Sequence, residues 1–392
     1  MKAKKTTQPH DLHLLSQWDL VYSRHAIGNV PQTSRLGGVA EAPRSTWCQS
    51  GDPLFKESQI TGRLDWSPIW SEQSEEEKRE STYSYSQLEH RIDYMEAAAR
   101  GLNKVHLGQL KLFYCELLFL SLYSHLADTI LYIGAAEGYH TGFMAKLFPD
   151  HTFHLYDPRP FDIPERDNVV LHQQLFTDAD MKDYRGQKLL LITDIRNAEF
   201  REHMDKEDQE AAEAVILRDL KLQEGWVRGL RPAMSSIKMR LPYVPGKTET
   251  LDGTAYLQPY GPASTETRLH VSDPDSSKVW DHQEYDERMA YFNLDMRPGK
   301  HDCRWGKLMD SCGLKHSWDN SLALSICHLY LHKRERDTSG KSVCKLFRAV
   351  LSYHRRRYGR KYDVVLAEGL DASQSSTPSL KAEKKPVAED QE

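Results

Sequence analysis

Four charged side chains stand where charge is costly. Lys111 interrupts the Leu- and Phe-rich run Leu107–Leu126, and Asp194 closes the apolar run that begins at Lys188. Lys238 sits inside Ser235-Ser-Ile-Lys-Met-Arg240, and Glu266 precedes the apolar run Arg268–Val271. Two lysines and two carboxylates that converge can activate a hydroxyl. A lysine of depressed pKa accepts or orients the proton, a second lysine keeps that pKa low, and the carboxylates position the amines. Each residue also has a structural reading: Lys111 snorkels, Lys238 faces solvent on an alternating strand, Asp194 caps the next helix, Glu266 pairs with Arg268.

A second constellation lies at Thr129-Ile-Leu-Tyr-Ile-Gly134-Ala-Ala-Glu-Gly138-Tyr-His-Thr, a strand entering a glycine turn that opens a helix. Asp157 ends the next apolar run, 23 positions after Gly134. At about this distance, α/β nucleotide folds place a carboxylate on ribose hydroxyls. GAAEG replaces the GxGxxG of dinucleotide sites, which suits an adenosine ligand without a pyrophosphate, such as S-adenosylmethionine. A plain strand–turn–helix connection is the alternative. Beside a sulfonium donor, the lysine–carboxylate set is suited to methyl transfer to an alcohol.

Elements must hold these groups together. Leu107–Leu126 reads as a buried helix, and Thr129–Ile133, Phe153–Tyr156, Val169–His172 and Lys188–Thr193 read as strands separated by amphipathic stretches. Such alternation predicts a parallel α/β sheet with helices on both faces. Ala211 to Leu230 keeps helical spacing, after which Ser235–Arg240, Ala255–Gln258 and Arg268–Val271 follow closely enough to form an antiparallel edge. The predicted division is an ancillary segment over 1–85, partly ordered by Trp47, Trp66 and Trp70, a domain over 86–368, and a disordered tail over 369–392.

The 392 residues, 39 % hydrophobic and 28 % charged, exclude fibrous and wholly disordered classes. Leu112–Leu126 holds Glu116 and is shorter than the roughly 20 residues a bilayer requires, so no membrane association is expected. Met1–Leu15 lacks an apolar signal core. The six cysteines are scattered and read as thiols of a reducing compartment. The group Cys303, Cys312, His316, Cys327, His328 and His332 matches no zinc-ligand spacing, so no metal is expected. A net charge of −5 conceals a local reversal: between Leu331 and Asp363 eleven lysines and arginines face three acids, a balance of +8. That region reads as an RNA track with Tyr353, Tyr358 and Tyr362 for stacking, as an import signal at His354–Lys361, or as a solvated helix face.

The ordered series Leu107-Gly-Gln-Leu-Lys111 through Ser121, Tyr132-Ile-Gly134, Asp194-Ile-Arg196, Ser235-Ser-Ile-Lys238-Met-Arg240, Leu257-Gln-Pro-Tyr260 and Glu266-Thr-Arg268 resembles the poxvirus cap-specific mRNA 2′-O-methyltransferases. Those proteins double as poly(A) polymerase subunits, and kinetoplastid cap methyltransferases look similar. The likeness spans roughly Asp93–Asn293. It implies a Rossmann-like class I S-adenosylmethionine-dependent methyltransferase acting on a ribose 2′-hydroxyl near the cap, including nucleotides beyond the first. A non-catalytic cap- or RNA-binding subunit and an enzyme for uncapped RNA are the rival readings.

Carried over by position, the resemblance makes Lys111, Asp194, Lys238 and Glu266 the catalytic tetrad, with Lys238 activating the hydroxyl. It gives Gln109, Tyr132, Gly134, Gly138, Asp157 and Arg159 to the cofactor, and Tyr94, Tyr243 and Asp286 to the methylated guanine, a cationic base suited to an aromatic sandwich. Pro245 stands where the viral enzyme has a second acid, and Ala263 replaces an aromatic. Arg196, Arg240 and Arg268 read as RNA contacts, with internal salt bridging as the alternative. Capped mRNA and other capping or polyadenylation enzymes are the expected partners. The import-like cluster and the kinetoplastid likeness point to the nucleus, with the cytoplasm as the alternative.

Overall fold

The computed structural model describes residues 83–88, 90–93, 107–163, 166–197, 206–262, 264–297 and 305–367. The ancillary segment before Tyr83, the tail, Tyr94 and Ala263 therefore lie outside the described residues.

Short apolar strands stack into one seven-stranded sheet of order β3-β2-β1-β4-β5-β8-β7. Its members are β1 (Thr129–Ile133), β2 (Thr152–Tyr156), β3 (Val169–His172), β4 (Leu189–Thr193), β5 (Met234–Met239), β7 (Thr254–Tyr256) and β8 (Thr267–Val271). The strands from β3 through β5 run parallel, β8 runs antiparallel to β5, and β7 runs antiparallel to β8. Every residue of β4 and β8 is buried, as expected for strands covered on both faces. The order reverses between β1 and β4, the switch point at whose carboxyl edge α/β sheets bind ligands. This is the Rossmann-like methyltransferase fold, mostly parallel with an antiparallel edge.

Because β8 runs opposite to β5, its first residues lie at the same edge as the last residues of β5, with Lys238 paired to Arg268 and Met239 to Thr267. Glu266 thereby reaches the carboxyl edge from the wrong end of its own strand. A second sheet pairs β6 (Lys247–Leu251) with β9 (Ser277–Asp281). The sequence reading missed it, since KTETL and SKVWD hold no apolar run.

Helix α1 (Gly108–Tyr123) is apolar on all sides, and its residues from Leu110 to Ser121 are buried, including Lys111 and Glu116. It packs against α2 (Tyr139–Leu147), α7 (Trp318–Lys333) and α8 (Gly340–Tyr358), while α3 (Asp178–Tyr184) and α4 (Lys206–Leu230) pack together, α4 also against β5. Two further helices are α5 (His282–Tyr291) and α6 (Gly306–Cys312). No described helix is long and apolar enough to cross a membrane.

Two expectations are corrected here. A disulfide joins Cys312 on α6 to Cys344 on α8, Cα–Cα 5.6 Å, where the sequence reading expected thiols; Cys115 and Cys327 are free and buried. Spacing alone does not reveal such a pair, because α6 and α8 are brought together only by the fold. Tyr353 and Tyr362 are buried and Tyr358 is half-buried, so they pack inward rather than offering faces to bases. Tyr353 stacks on Tyr139 at 4.5 Å between ring centroids, and Tyr358 stacks on Tyr362 at 5.8 Å.

Candidate active site

The four charged residues converge. Lys111 Nζ, from the first turn of α1, donates to Glu266 Oε1 at 2.5 Å. Lys238 Nζ lies 3.0 Å from Asp194 Oδ1 and 3.5 Å from Glu266 Oε2. Asp194 directly follows β4, Lys238 lies near the end of β5 and Glu266 immediately precedes β8, so one sheet edge supplies three of the four. Gly261 closes over the fourth: a Cβ there would stand 3.3 Å from Lys111 Cδ.

Arg268 is the keystone. Its guanidinium donates to Asp194 Oδ1 at 3.0 Å, to the Thr193 carbonyl at 3.1 Å and to Gln258 Oε1 at 3.3 Å, with the residue only 3 % exposed. Gln258 Nε2 in turn donates to the Glu266 carbonyl and to its Oε1. The expectation that Arg268 contacts RNA is thus corrected: buried pairing uses its donors. Arg240 is likewise drawn inward, paired with Glu213 at 2.6 Å and stacked over the Tyr243 ring at 4.0 Å. Arg196 differs, with a side chain 59 % exposed that reaches Glu266 Oε2 at 3.4 Å.

Electrostatics separates base from acids. Burial pushes the Lys238 ammonium below the ordinary lysine range, and Arg196 and Lys111 push the same way while Asp194 and Glu266 oppose. Burial alone would raise the two carboxyls. For Asp194 the cations Arg268, Lys238 and Lys111 outweigh it, and for Glu266 Lys111, Lys238, Arg268 and Arg196 do, so both are held below the usual carboxylate range. At neutral pH the acids are anionic, and the buried amine has its proton loosened.

The glycine turn sits beside this cluster. Gly134, Ala136 and Gly138 all have positive φ, at 82°, 54° and 67°. A Cβ on Gly134 would meet the Asp194 carbonyl oxygen at 2.8 Å, so here the two constellations touch and only glycine fits. Asp157, at the end of β2 and 3 % exposed, accepts from Ala136 N–H at 2.8 Å and from both Nε and Nη2 of Arg159. Burial would raise its carboxyl, and those Arg159 and Ala136 hydrogen bonds hold it below its usual range.

A polar chain that the sequence reading passed over runs under the turn. Glu116 Oε1 accepts from Tyr132 OH at 2.7 Å and meets His140 Nε2 at 2.8 Å, and His140 Nδ1 meets Gln109 Oε1 at 2.9 Å. Tyr132 is thereby buried with its hydroxyl turned to Glu116, and Gln109 is half-buried at the outer end. The signal was present, since Glu116 breaks the same apolar helix as Lys111. At the far side of β8, Asp286 on α5 is buried, and its Oδ1 has no hydrogen-bond partner among the described residues. Burial raises this carboxyl well above its ordinary value, with Arg240 opposing. Tyr243 is buried beneath Arg240, and Pro245 is exposed nearby.

A family described as "Poly A polymerase regulatory subunit" matches residues 77–302. The chain belongs to this family. Every member of the tetrad, the glycine turn, Asp157 and Asp286 falls inside the matched span, whereas α6 through α8 lie beyond it. A cap-specific mRNA (nucleoside-2′-O-)-methyltransferase of myxoma virus is 30 % identical over 228 residues, covering 49 % of this chain and 62 % of the viral one. A fowlpox virus protein of the same name is 32 % identical over 224 residues, covering 49 % and 68 %. The chain thus spans somewhat less than two thirds of the myxoma relative.

Proposed function

We propose that the protein is an S-adenosylmethionine-dependent ribose 2′-O-methyltransferase acting near the cap of mRNA. The observation that carries this reading is the Lys111–Glu266–Lys238–Asp194 network, a loosened buried amine held between two anionic carboxylates at the carboxyl edge of a methyltransferase sheet. The names of the viral relatives support it.

The residues present suit the donor. A buried carboxylate, Asp157, ends β2 beside the glycine turn, which fits a nucleoside on the switch-point edge. S-adenosylmethionine supplies an electrophilic methyl group; the protein's task is the nucleophile. Lys238 in its neutral form accepts the proton that the 2′-hydroxyl loses. Asp194 and Glu266 fix where its nitrogen points, and Lys111, locked to Glu266, holds the second carboxylate in place. Arg196, exposed beside Glu266, suits an RNA phosphate at the mouth of the cleft.

For cap recognition we propose Asp286, which brings an unsatisfied buried oxygen to read a base edge; Tyr243, buried with Arg240 over its ring, joins it only where that guanidinium gives way to the cationic base. Methylation beyond the first nucleotide belongs to the same proposal, as does a partner among capping or polyadenylation enzymes, which the family description supports. The test is transfer of labelled methyl from S-adenosylmethionine to capped and matched uncapped RNA, with the labelled nucleotide mapped, for wild type and Lys238→Ala. Label on a cap-proximal ribose, lost in Lys238→Ala while the cofactor still binds, is the expected result. Equal transfer to uncapped RNA would remove the cap from the reading, and cofactor and cap binding without transfer would leave a binding subunit.

A further inference from the structure

Helix α8 lies outside the family match and carries most of the local positive charge. Its buried face is Val343, Phe347, Val350, Leu351 and His354. The opposite face is a ridge: Lys341, Lys345, Arg348, Ser352 and Arg356 follow at helical spacing, all exposed, and Arg360 and Lys361 continue it past the helix end. Between Ser339 and Tyr362 the chain holds no acid. Arg334, Arg355 and Arg357 are engaged by Asp150, Asp363 and the Glu137–Asp162 pair. By contrast, none of Lys341, Lys345, Arg356, Arg360 and Lys361 meets a carboxylate among the described residues. Arg348 gives one nitrogen to the Cys312 carbonyl at 3.1 Å.

Such a ridge is indifferent to base identity but matched to a polyanion. From Lys341 to Arg356 a helix rises roughly 22 Å, with a cation at nearly every turn of about 5.4 Å, close to the phosphate spacing of an extended single strand. The inward-packed tyrosines leave no stacking platform, so the contact is with the backbone alone.

The far end of the ridge is bolted to the cofactor turn. Tyr353 OH donates to the Tyr139 carbonyl at 2.8 Å, and Tyr139 OH donates to the Tyr353 carbonyl at 3.2 Å, with the rings stacked between them. Arg357 spans from α8 to Glu137 of the turn at 3.3 Å and to Asp162 at 2.8 Å. The ridge therefore stands at a fixed distance from the active edge, as a strand threaded through that edge requires.

We infer that the exposed cationic ridge of α8, Lys341–Lys345–Arg348–Arg356 with Arg360 and Lys361, binds the sugar–phosphate backbone of single-stranded RNA distal to the methylated nucleotide. The inference deepens the proposed function and rests on it. Its test is the full-length variant Lys341→Gln/Lys345→Gln/Arg356→Gln/Arg360→Gln, none of these four being in the tetrad or the turn. Binding of labelled capped RNAs of four and of twenty nucleotides is titrated across a salt series, alongside S-adenosylhomocysteine.

The variant is expected to bind the long RNA at least tenfold more weakly at low salt. Its log K against log salt slope should fall by about 2 to 3, at about 0.7 per phosphate contact. The short RNA and S-adenosylhomocysteine should bind as in wild type. Unchanged long-RNA affinity overturns the inference. Equal loss on short and long RNA overturns the distal placement. If wild type itself binds neither S-adenosylhomocysteine nor capped RNA, the proposed function falls first and the ridge with it.

Discussion

Two buried acid sites flank β8 and behave oppositely. Glu266 is as deeply placed as Asp286 and Asp194 only slightly less so, yet the first two carboxyls are held below the usual range while that of Asp286 is raised. Burial acts in the same direction at all three. What differs is the company: Lys111, Lys238, Arg196 and Arg268 crowd the first pair, whereas the remote Arg240 is tied to Glu213 and cannot offset the burial of Asp286. On the proposed reading, the carboxylates that serve Lys238 stay charged, whereas Asp286 waits unsatisfied for a ligand edge.

The comparison breaks if Lys238→Ala retains activity. We expect a loss of about 10²- to 10⁴-fold in methyl transfer, with S-adenosylhomocysteine affinity unchanged by calorimetry. Next in size, Glu266→Gln leaves two lysines and two arginines without their shared anion. Removing one partner of a buried pair costs about 3–5 kcal/mol, which chemical denaturation would read. Asp286→Asn should do the reverse at neutral pH. A raised carboxyl contributes stability that is present below the unfolded pKa and is lost as pH rises through the folded one, so the amide should melt higher at pH 7 and lose that pH dependence. Asp194 and Glu266 have the opposite sign, contributing stability above the unfolded value that is lost on acidification. The smallest effect sharpens the picture: Arg196→Ala removes a cation that depresses Lys238, so the rising limb of the kcat–pH profile should move to higher pH.

Much of this is legible in the sequence. β1 and β3 match their predicted bounds, and β2, β4, β5 and β8 differ by a residue or two at their ends; strands covered on both faces such as β4 are continuous apolar runs, and the edge strand β3 is apolar in sequence although Val170 and Leu171 are exposed. The tetrad was visible as charges out of place. Of the Glu116–His140–Gln109 chain only Glu116 was visible, as a charge breaking the apolar helix; one histidine after a glycine turn carries no pattern. Arg268 and Arg240 misled because alternation along a strand does not say which face is buried at a sheet's antiparallel edge. The tyrosines near residue 358 misled for a related reason: charge was counted along α8, while its apolar face decides what those rings touch.

The stacked Tyr139–Tyr353 pair closes 214 positions of chain, and Lys111–Glu266 closes 155. Loops of that length form late and slowly. During synthesis, the sheet edge cannot gain its last acid, nor the turn its brace, until most of the polypeptide has been made. A nascent chain halted before α8 holds every residue of the tetrad and still lacks the Tyr353 and Arg357 fastener on its glycine turn.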